Sequence, residues 1–280
     1  MKKKIIRTFA VPNDKIMIQK ARIKGTVLTA VLVCCAHASA RAQDNLGVAP
    51  QTAPEGEVTT EVAAAPAKSK VEATLGLDVV SQFIWRGMKQ GSAALQPTAG
   101  VSWQGLSLSA WGNVGFADWN DFKEIDLTLS YTIKGLTIGI TDYWTTEAGT
   151  PYFNYKKNET NHVFEASVGY DFGFLRASWQ TIFAGNDGLN KSDKRAYSSY
   201  FELTAPFRLA TCDWEGTVGV VPYATSYYDC DGFRCTNITL RVTKAIEVTD
   251  RFKIPLFLQL TGNPNSRDLY FVGGFTLQAF

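Results

Sequence analysis

Charged residues in this chain fall where charge is expensive. Asp78, Arg86, Glu124, Asp126, Glu165, Arg176, Glu202 and Arg241 each sit within a run that alternates apolar and polar side chains, always on the polar phase. Residues two apart on a strand share a face, so these five acids and three arginines line one side of a sheet whose other side is apolar. Two chemistries fit. Opposed charges around a wet lumen set a transverse field that filters small polar solutes. Closely packed, the same charges instead pair and fill space, because a buried charge persists only when paired. Trp111, Tyr200 and Phe257 share the polar phase. They either offer aromatic faces to a sugar or nucleobase or fill the interior.

Other residue types offer less. Beyond residue 42 the only histidine is His162, at the expected start of a strand. A lipid hydrolase would need it beside a serine and an orienting polar group, and no Gly-x-Ser-x-Gly elbow is present. An interfacial histidine near an aqueous rim is the simpler reading, so a non-enzyme without a cofactor is expected. Cys230 and Cys235 flank Asp231-Gly232-Phe233-Arg234. In an exported protein that turn-forming spacing suits a short-loop disulfide; two free thiols fit it as well. Cys212 stands apart, and no metal-ligand spacing occurs.

The elements that must position these residues are strands. Ala99, Val101 and Trp103 alternate with Thr98, Gly100, Ser102 and Gln104, and Gln104-Gly105 turns the chain into Leu106, Leu108 and Ala110. Ile125, Leu127, Leu129, Tyr131 and Ile133 alternate with Glu124, Asp126, Thr128, Ser130 and Thr132, and Lys134-Gly135 turns again into Leu136, Ile138 and Ile140. These are amphipathic strands in tight hairpins. A first strand is expected through Phe83 and Trp85 to Arg86. Further strands are expected near 162–170, 174–183, 197–205, 215–224, 236–245, 252–261 and 269–280, twelve in all. Short connections (104–105, 134–135, 171–173, 206–213, 246–251) alternate with longer polar ones (87–95, 117–122, 145–160, 184–196, 225–234, 262–268).

Short turns at one end and long loops at the other mark an all-β, antiparallel, up-and-down transmembrane barrel. A periplasmic β-sandwich shares the alternation. Against it stand aromatics near strand ends, Phe83, Trp85, Trp103, Tyr131 and Phe183, which would form an interfacial girdle, and charges at mid-strand on the polar face.

The N-terminus fits export. Lys20, Arg22 and Lys24 precede the apolar run from Thr26 to Val33, and Ala40-Arg41-Ala42 supplies a small-x-small cleavage site. Residues 1–42 thus read as a signal peptide, with Met17 a more conventional start. Residues 43–72, rich in Pro, Ala, Glu and Thr, read as a periplasmic tether, leaving 73–280 for the barrel. Residues 1–42 hold nine Lys/Arg and one acid, so the remainder carries 19 bases and 25 acids, a net −6. That balance excludes a nucleic-acid partner, which needs a basic face.

Two stretches carry a resemblance. Phe83-Ile84-Trp85-Arg86-Gly87 followed by Gln96-Pro97, and Leu108-Ser109-Ala110-Trp111-Gly112-Asn113 followed by Glu124-Ile125-Asp126, resemble the opening of the TorF-type family of Gram-negative outer-membrane porins. The resemblance covers residues 74–143 and implies an outer-membrane barrel with transport activity. Terminal Phe280 is similar to the signal read by barrel-assembly machinery, although the last apolar phase (Phe271, Gly273, Phe275, Leu277, Ala279) leaves it out of phase.

The expected function is a passive conduit for small hydrophilic solutes, embedded in outer-membrane lipid. The eight charged residues line its lumen, and Arg86, Glu124, Asp126, Glu165, Glu202 and Arg241 form its constriction. Two alternatives stay open. One is a non-conducting barrel that binds a partner through loop 145–160 or the Cys230–Cys235 loop. The other is an outer-membrane lipid enzyme built on His162.

Overall fold

The computed structural model describes residues 71–117, 122–146, 151–156, 159–249 and 252–278. The signal-like stretch, the tether up to residue 70, and Phe280 lie outside the described residues. The strands are β1 (Glu72–Val80), β2 (Phe83–Trp85), β3 (Met88–Gly91), β4 (Ala94–Trp103), β5 (Leu106–Gly115), β6 (Lys123–Ile133), β7 (Leu136–Thr145), β8 (His162–Asp171), β9 (Arg176–Gly185), β10 (Ser199–Leu209), β11 (Cys212–Val221), β12 (Arg234–Thr249), β13 (Phe252–Asn263) and β14 (Asp268–Gln278). All except β2 and β3 form one closed antiparallel barrel of twelve strands, each paired with its neighbours in sequence, and β1 pairs with both β4 and β14. No sheet edge is left open among them. A closed sheet is one of only two ways a chain can satisfy its backbone inside a bilayer.

Local chemistry accounts for the up-and-down path. Gln104-Gly105 and Lys134-Gly135 both carry positive φ at each residue, 51° and 86° in the first, 50° and 83° in the second. That is the I′ geometry whose twist matches the flanking strands. The β10–β11 turn is equally tight, at Ala210-Thr211, and the strands extend to Leu209 and from Cys212. The short connection expected near 206–213 is therefore shorter still, and Pro206 sits within β10 opposite Glu215.

Inside and outside follow from the period of two. Leu127, Leu129, Ile138, Ile140, Leu258 and Leu260 stand on the outer wall, each roughly half exposed. A belt of unpartnered apolar side chains this continuous is far more than a water-soluble surface carries. The inner wall is hydroxyl-rich, and its cross-strand pairs bond directly: Thr128 to Thr141 at 3.0 Å, Thr132 to Thr137 at 2.9 Å, Thr204 to Thr217 at 3.2 Å and Thr239 to Thr261 at 2.7 Å. Trp103, Tyr131 and Phe183 stand exposed near the strand ends.

The first strand is shorter than its residues suggested. It stops at Val80, and residues 83–91 turn away as the separate β2–β3 hairpin. Phe83 and Trp85 are consequently not part of an outer girdle. Phe83 is buried, its ring 5.4 Å from Trp111, and Trp85 packs against Tyr143 and Tyr228. The physical reason lies in two breaks of the alternation. Val80 and Ile84 are apolar on the polar phase, and both join an inward cluster with Ala94, Phe257 and Val272.

If lipid covers the outer wall, Leu127→Arg at the middle of β6 should destabilise the folded barrel by about 2–4 kcal/mol, read by reversible urea unfolding in vesicles, whereas Thr128→Ser on the inner wall should change little.

Candidate functional site in the barrel lumen

The hairpin is the part of the chain that the alternation alone cannot place. It reaches inward residues on five barrel strands: Trp111 on β5, Tyr143 on β7, Glu165 on β8, Thr236 on β12 and Asn263 on β13. Only a segment lying inside the barrel can touch all of these. Its tip is another I′ turn, Arg86-Gly87, with φ of 50° and 80°. A Cβ on Gly87 would fall 1.8 Å from the Thr236 carbonyl oxygen, and the Asn263 amide donates to the Gly87 carbonyl at 3.1 Å. The tip is thus seated against β12 and β13 by close backbone approach that only glycine permits.

Arg86 holds the other side. Its guanidinium meets Glu165 in a two-pronged pair, Nη1 to Oε2 at 2.6 Å and Nη2 to Oε1 at 2.7 Å, the geometry that makes arginine carboxylate pairs specific. Tyr143 donates a further hydrogen bond to Glu165 at 3.0 Å, and Arg86 donates to the Tyr228 hydroxyl. The guanidinium lies 4.3 Å from the Trp85 ring centre and 4.7 Å from that of Tyr200. Both partners of the pair are nearly fully covered. Losing either would leave a buried charge unpaired, typically a cost of about 3–5 kcal/mol. A turn of 3-10 helix, Ser226–Tyr228, brings Tyr228 in from the loop after β11.

The remaining charged residues read from sequence all face inward, in separate groups. Glu124 and Asp126 lie two apart on β6, opposite Asn113 and Trp111 on β5. Glu202 accepts hydrogen bonds from Tyr200 at 2.8 Å and from Asn237. Arg176 is ion-paired with Glu215 across the wall. Asp78 accepts a hydrogen bond from Thr276 at 2.6 Å, and Arg241 sits 3.7 Å over the Phe257 ring. Arg86 and Glu165 are therefore brought together, while Glu124, Asp126, Glu202 and Arg241 are not in contact with that pair. Trp111, Tyr200 and Phe257 face inward and pack on protein: Trp111 on Phe83, Tyr200 on Tyr228, Phe257 under Arg241.

Three interior residues escaped the sequence reading. Glu215 fell next to a segment taken as a turn, although its phase with Thr217 and Gly219 would have placed it inward. Tyr143 follows the phase of Thr137 and Thr141 and could have been found the same way. Tyr228 lies in a loop, where no periodicity exists to mark it.

Two expectations are corrected. Cys230 and Cys235 are free thiols, not a disulfide. Each sulfur is committed to a different backbone carbonyl, Cys230 to Tyr228 at 3.3 Å and Cys235 to Asn237 at 3.8 Å. Burial also pushes the Cys230 thiol up to about 11, which disfavours the reactive thiolate. His162 opens β8 at the loop end, as expected, but is fully buried on the outer wall beneath segment 151–156. Nδ1 bonds Asp142 Oδ1 at 2.7 Å, Nε2 bonds the Tyr152 carbonyl at 2.6 Å, and Tyr155 stacks on the ring at 4.3 Å. Both ring nitrogens are engaged, by a carboxylate and a backbone carbonyl, and no serine is hydrogen-bonded to the ring among the described residues. Segment 151–156 is folded down over the outside of β7 and β8, covering a charge that would otherwise face apolar surroundings. It neither enters the barrel mouth nor stands free.

No family model matches the chain, and no curated protein matches it. Among solved structures it is similar to the NanC porin in a rhombohedral crystal form, at 10% identity over 73% of this chain and 97% of that one, with a TM-score of 0.37. It is also similar to Salmonella typhi OmpF in complex with daunomycin, at 8% identity over 75% and 97%, TM-score 0.32. A membrane protein from work on in-meso crystallization matches at 6% identity over 74% and 82%, TM-score 0.39.

Gly87→Ala should unseat the hairpin tip without opening the barrel. Hydrogen exchange at residues 83–91 should speed up by at least tenfold, while the amides of β6 and β7 keep their protection.

Proposed function

We propose that this chain is an outer-membrane barrel that conducts small hydrophilic solutes passively through a lumen narrowed by its own internal hairpin. The observation that carries this reading is the division of the wall: apolar side chains without partners outside, hydroxyls and charges inside. A protein in water has no use for such an exterior. The long-loop end faces the outside of the cell and the short turns face the periplasm, as the tether between the signal and β1 requires. TorF-type porins are the family this reading fits best.

The filter consists of the hairpin and the charges around it. Arg86 and Glu165 neutralise one another at the tip, as Arg176 and Glu215 do on the wall, while the Glu124 and Asp126 carboxyls on β6 and the Arg241 guanidinium on β12 stand at separate points of the interior. A solute passing the hairpin would meet acids on one part of the wall and arginines on another. Hydroxyls of the threonine pairs replace part of its hydration. No step of this requires catalysis or a cofactor.

The second reading is a closed barrel whose loops engage a partner. It is favoured by how firmly the hairpin is held, since Arg86 alone contacts Glu165, Tyr228, Trp85 and Tyr200.

Planar-bilayer recording separates the two. Wild-type protein should give discrete ohmic openings, and Arg86→Gln should raise single-channel conductance at least twofold and shift reversal potentials toward greater cation preference, because Glu165 loses its counter-charge. No openings from either protein would remove the channel and leave the partner-binding barrel.

A further inference from the structure

The outer wall carries a second built feature, near the long-loop end. A cleft of about 340 Å3 is lined by Tyr155, Thr160, Phe164, Phe183, Gly185 and Arg195. Phe164 and Phe183 belong to the outward phases of β8 and β9, and their rings lie 6.4 Å apart. Tyr155 closes the opposite side, held there because its ring stacks on His162. The cleft is therefore not part of the lumen. It opens on the side where the apolar belt stands, at the level where strands give way to polar loops.

Its chemistry is divided. Floor and walls are aromatic, and the volume is at the lower end of the roughly 300–1,000 Å3 of small-ligand pockets, enough for a segment of chain but not for a whole lipid. The mouth is cationic. Arg195 is one-third exposed, anchored through Nη2 to the Gly185 carbonyl at 2.6 Å. Its nearest acid, Asp187, is 3.8 Å away and is itself occupied by the backbone N–H groups of Gly188 and Tyr197. The guanidinium is thus ion-paired with Asp187 at a distance too long for a hydrogen bond, its buried Nη1 keeps an unsatisfied donor, and one-third of the side chain stays exposed at the mouth.

Resting on the membrane reading above, we infer that this cleft binds a phosphorylated lipid of the outer leaflet, one acyl chain lying along Phe164 and Phe183 and the phosphate on Arg195. The loop over His162 then has a role beyond covering Asp142: it supplies the Tyr155 wall of the site.

The test uses full-length protein folded in neutral detergent, with lipid retention read by native mass spectrometry. Phosphatidic acid should be retained one per barrel and at least tenfold more strongly than phosphatidylcholine of the same chains, and inorganic phosphate should not compete at equal concentration. Arg195→Gln should lose that preference, Arg195→Lys should keep most of it, and both variants should show the wild-type heat-induced gel shift of a folded barrel. Equal retention of the two lipids, competition by inorganic phosphate, or unchanged preference in Arg195→Gln would overturn the site while leaving the barrel reading intact. A protein that stays monomeric in water without detergent would overturn both.

Discussion

The seam between β1 and β14 decides whether this chain is a barrel or an open sheet. Twelve strands curl until Gly76 to Val80 meet Gln278 to Gly274 in antiparallel register. Closure removes the two unpaired edges that would otherwise expose a row of N–H and C=O groups, which hydrocarbon cannot satisfy. Space at the seam is tight. A Cβ on Gly274 would lie 2.4 Å from the Phe257 ring and 2.6 Å from the Val79 carbonyl oxygen. The absence of a side chain there lets Phe257 pack inward beside the joint, where it also supports Arg241.

Once the sheet is closed, each side chain has one of two surroundings, and the charge distribution follows. Acids and arginines cannot stand on the outer wall unless something covers them. Inward, they find hydroxyls and each other. The hairpin then becomes the organising element of the interior. Arg86 reaches the opposite wall because a I′ turn points it there, and Glu165 on β8 is placed to receive it in two-pronged fashion. Tyr143, Tyr200, Tyr228 and Trp85 surround the pair, excluding water from an interaction that would be weak if exposed.

The outer wall shows the same constraint from the other side. Asp142 occupies an outward position on β7. The chain resolves that placement by pairing it with His162 and folding Tyr152 and Tyr155 across them. This converts an outward charge into a buried one and builds a walled cleft beside it. Inside and outside are therefore both shaped by loops that turn back onto the barrel, the hairpin after β1 toward the lumen and segment 151–156 toward the exterior.

Much of this was legible in the residues. The alternation of Ile125 to Ile133 with Glu124 to Thr132 determined which side chains face in, and the Gln104-Gly105 and Lys134-Gly135 dipeptides determined where the strands reverse. Together these are enough for strand number and barrel class, because both depend on local period and turn chemistry. What they could not determine was where loops go. Arg86 looked like the end of a strand, and Phe83 and Trp85 looked like a girdle, because over a few residues a strand and an inward hairpin share the same alternation. The pairing of Arg86 with Glu165, 79 residues away, and the seating of Gly87 against Thr236 and Asn263 rest on distances between segments remote in sequence. Such distances exist only once the sheet has closed, and so they were left to the tertiary structure.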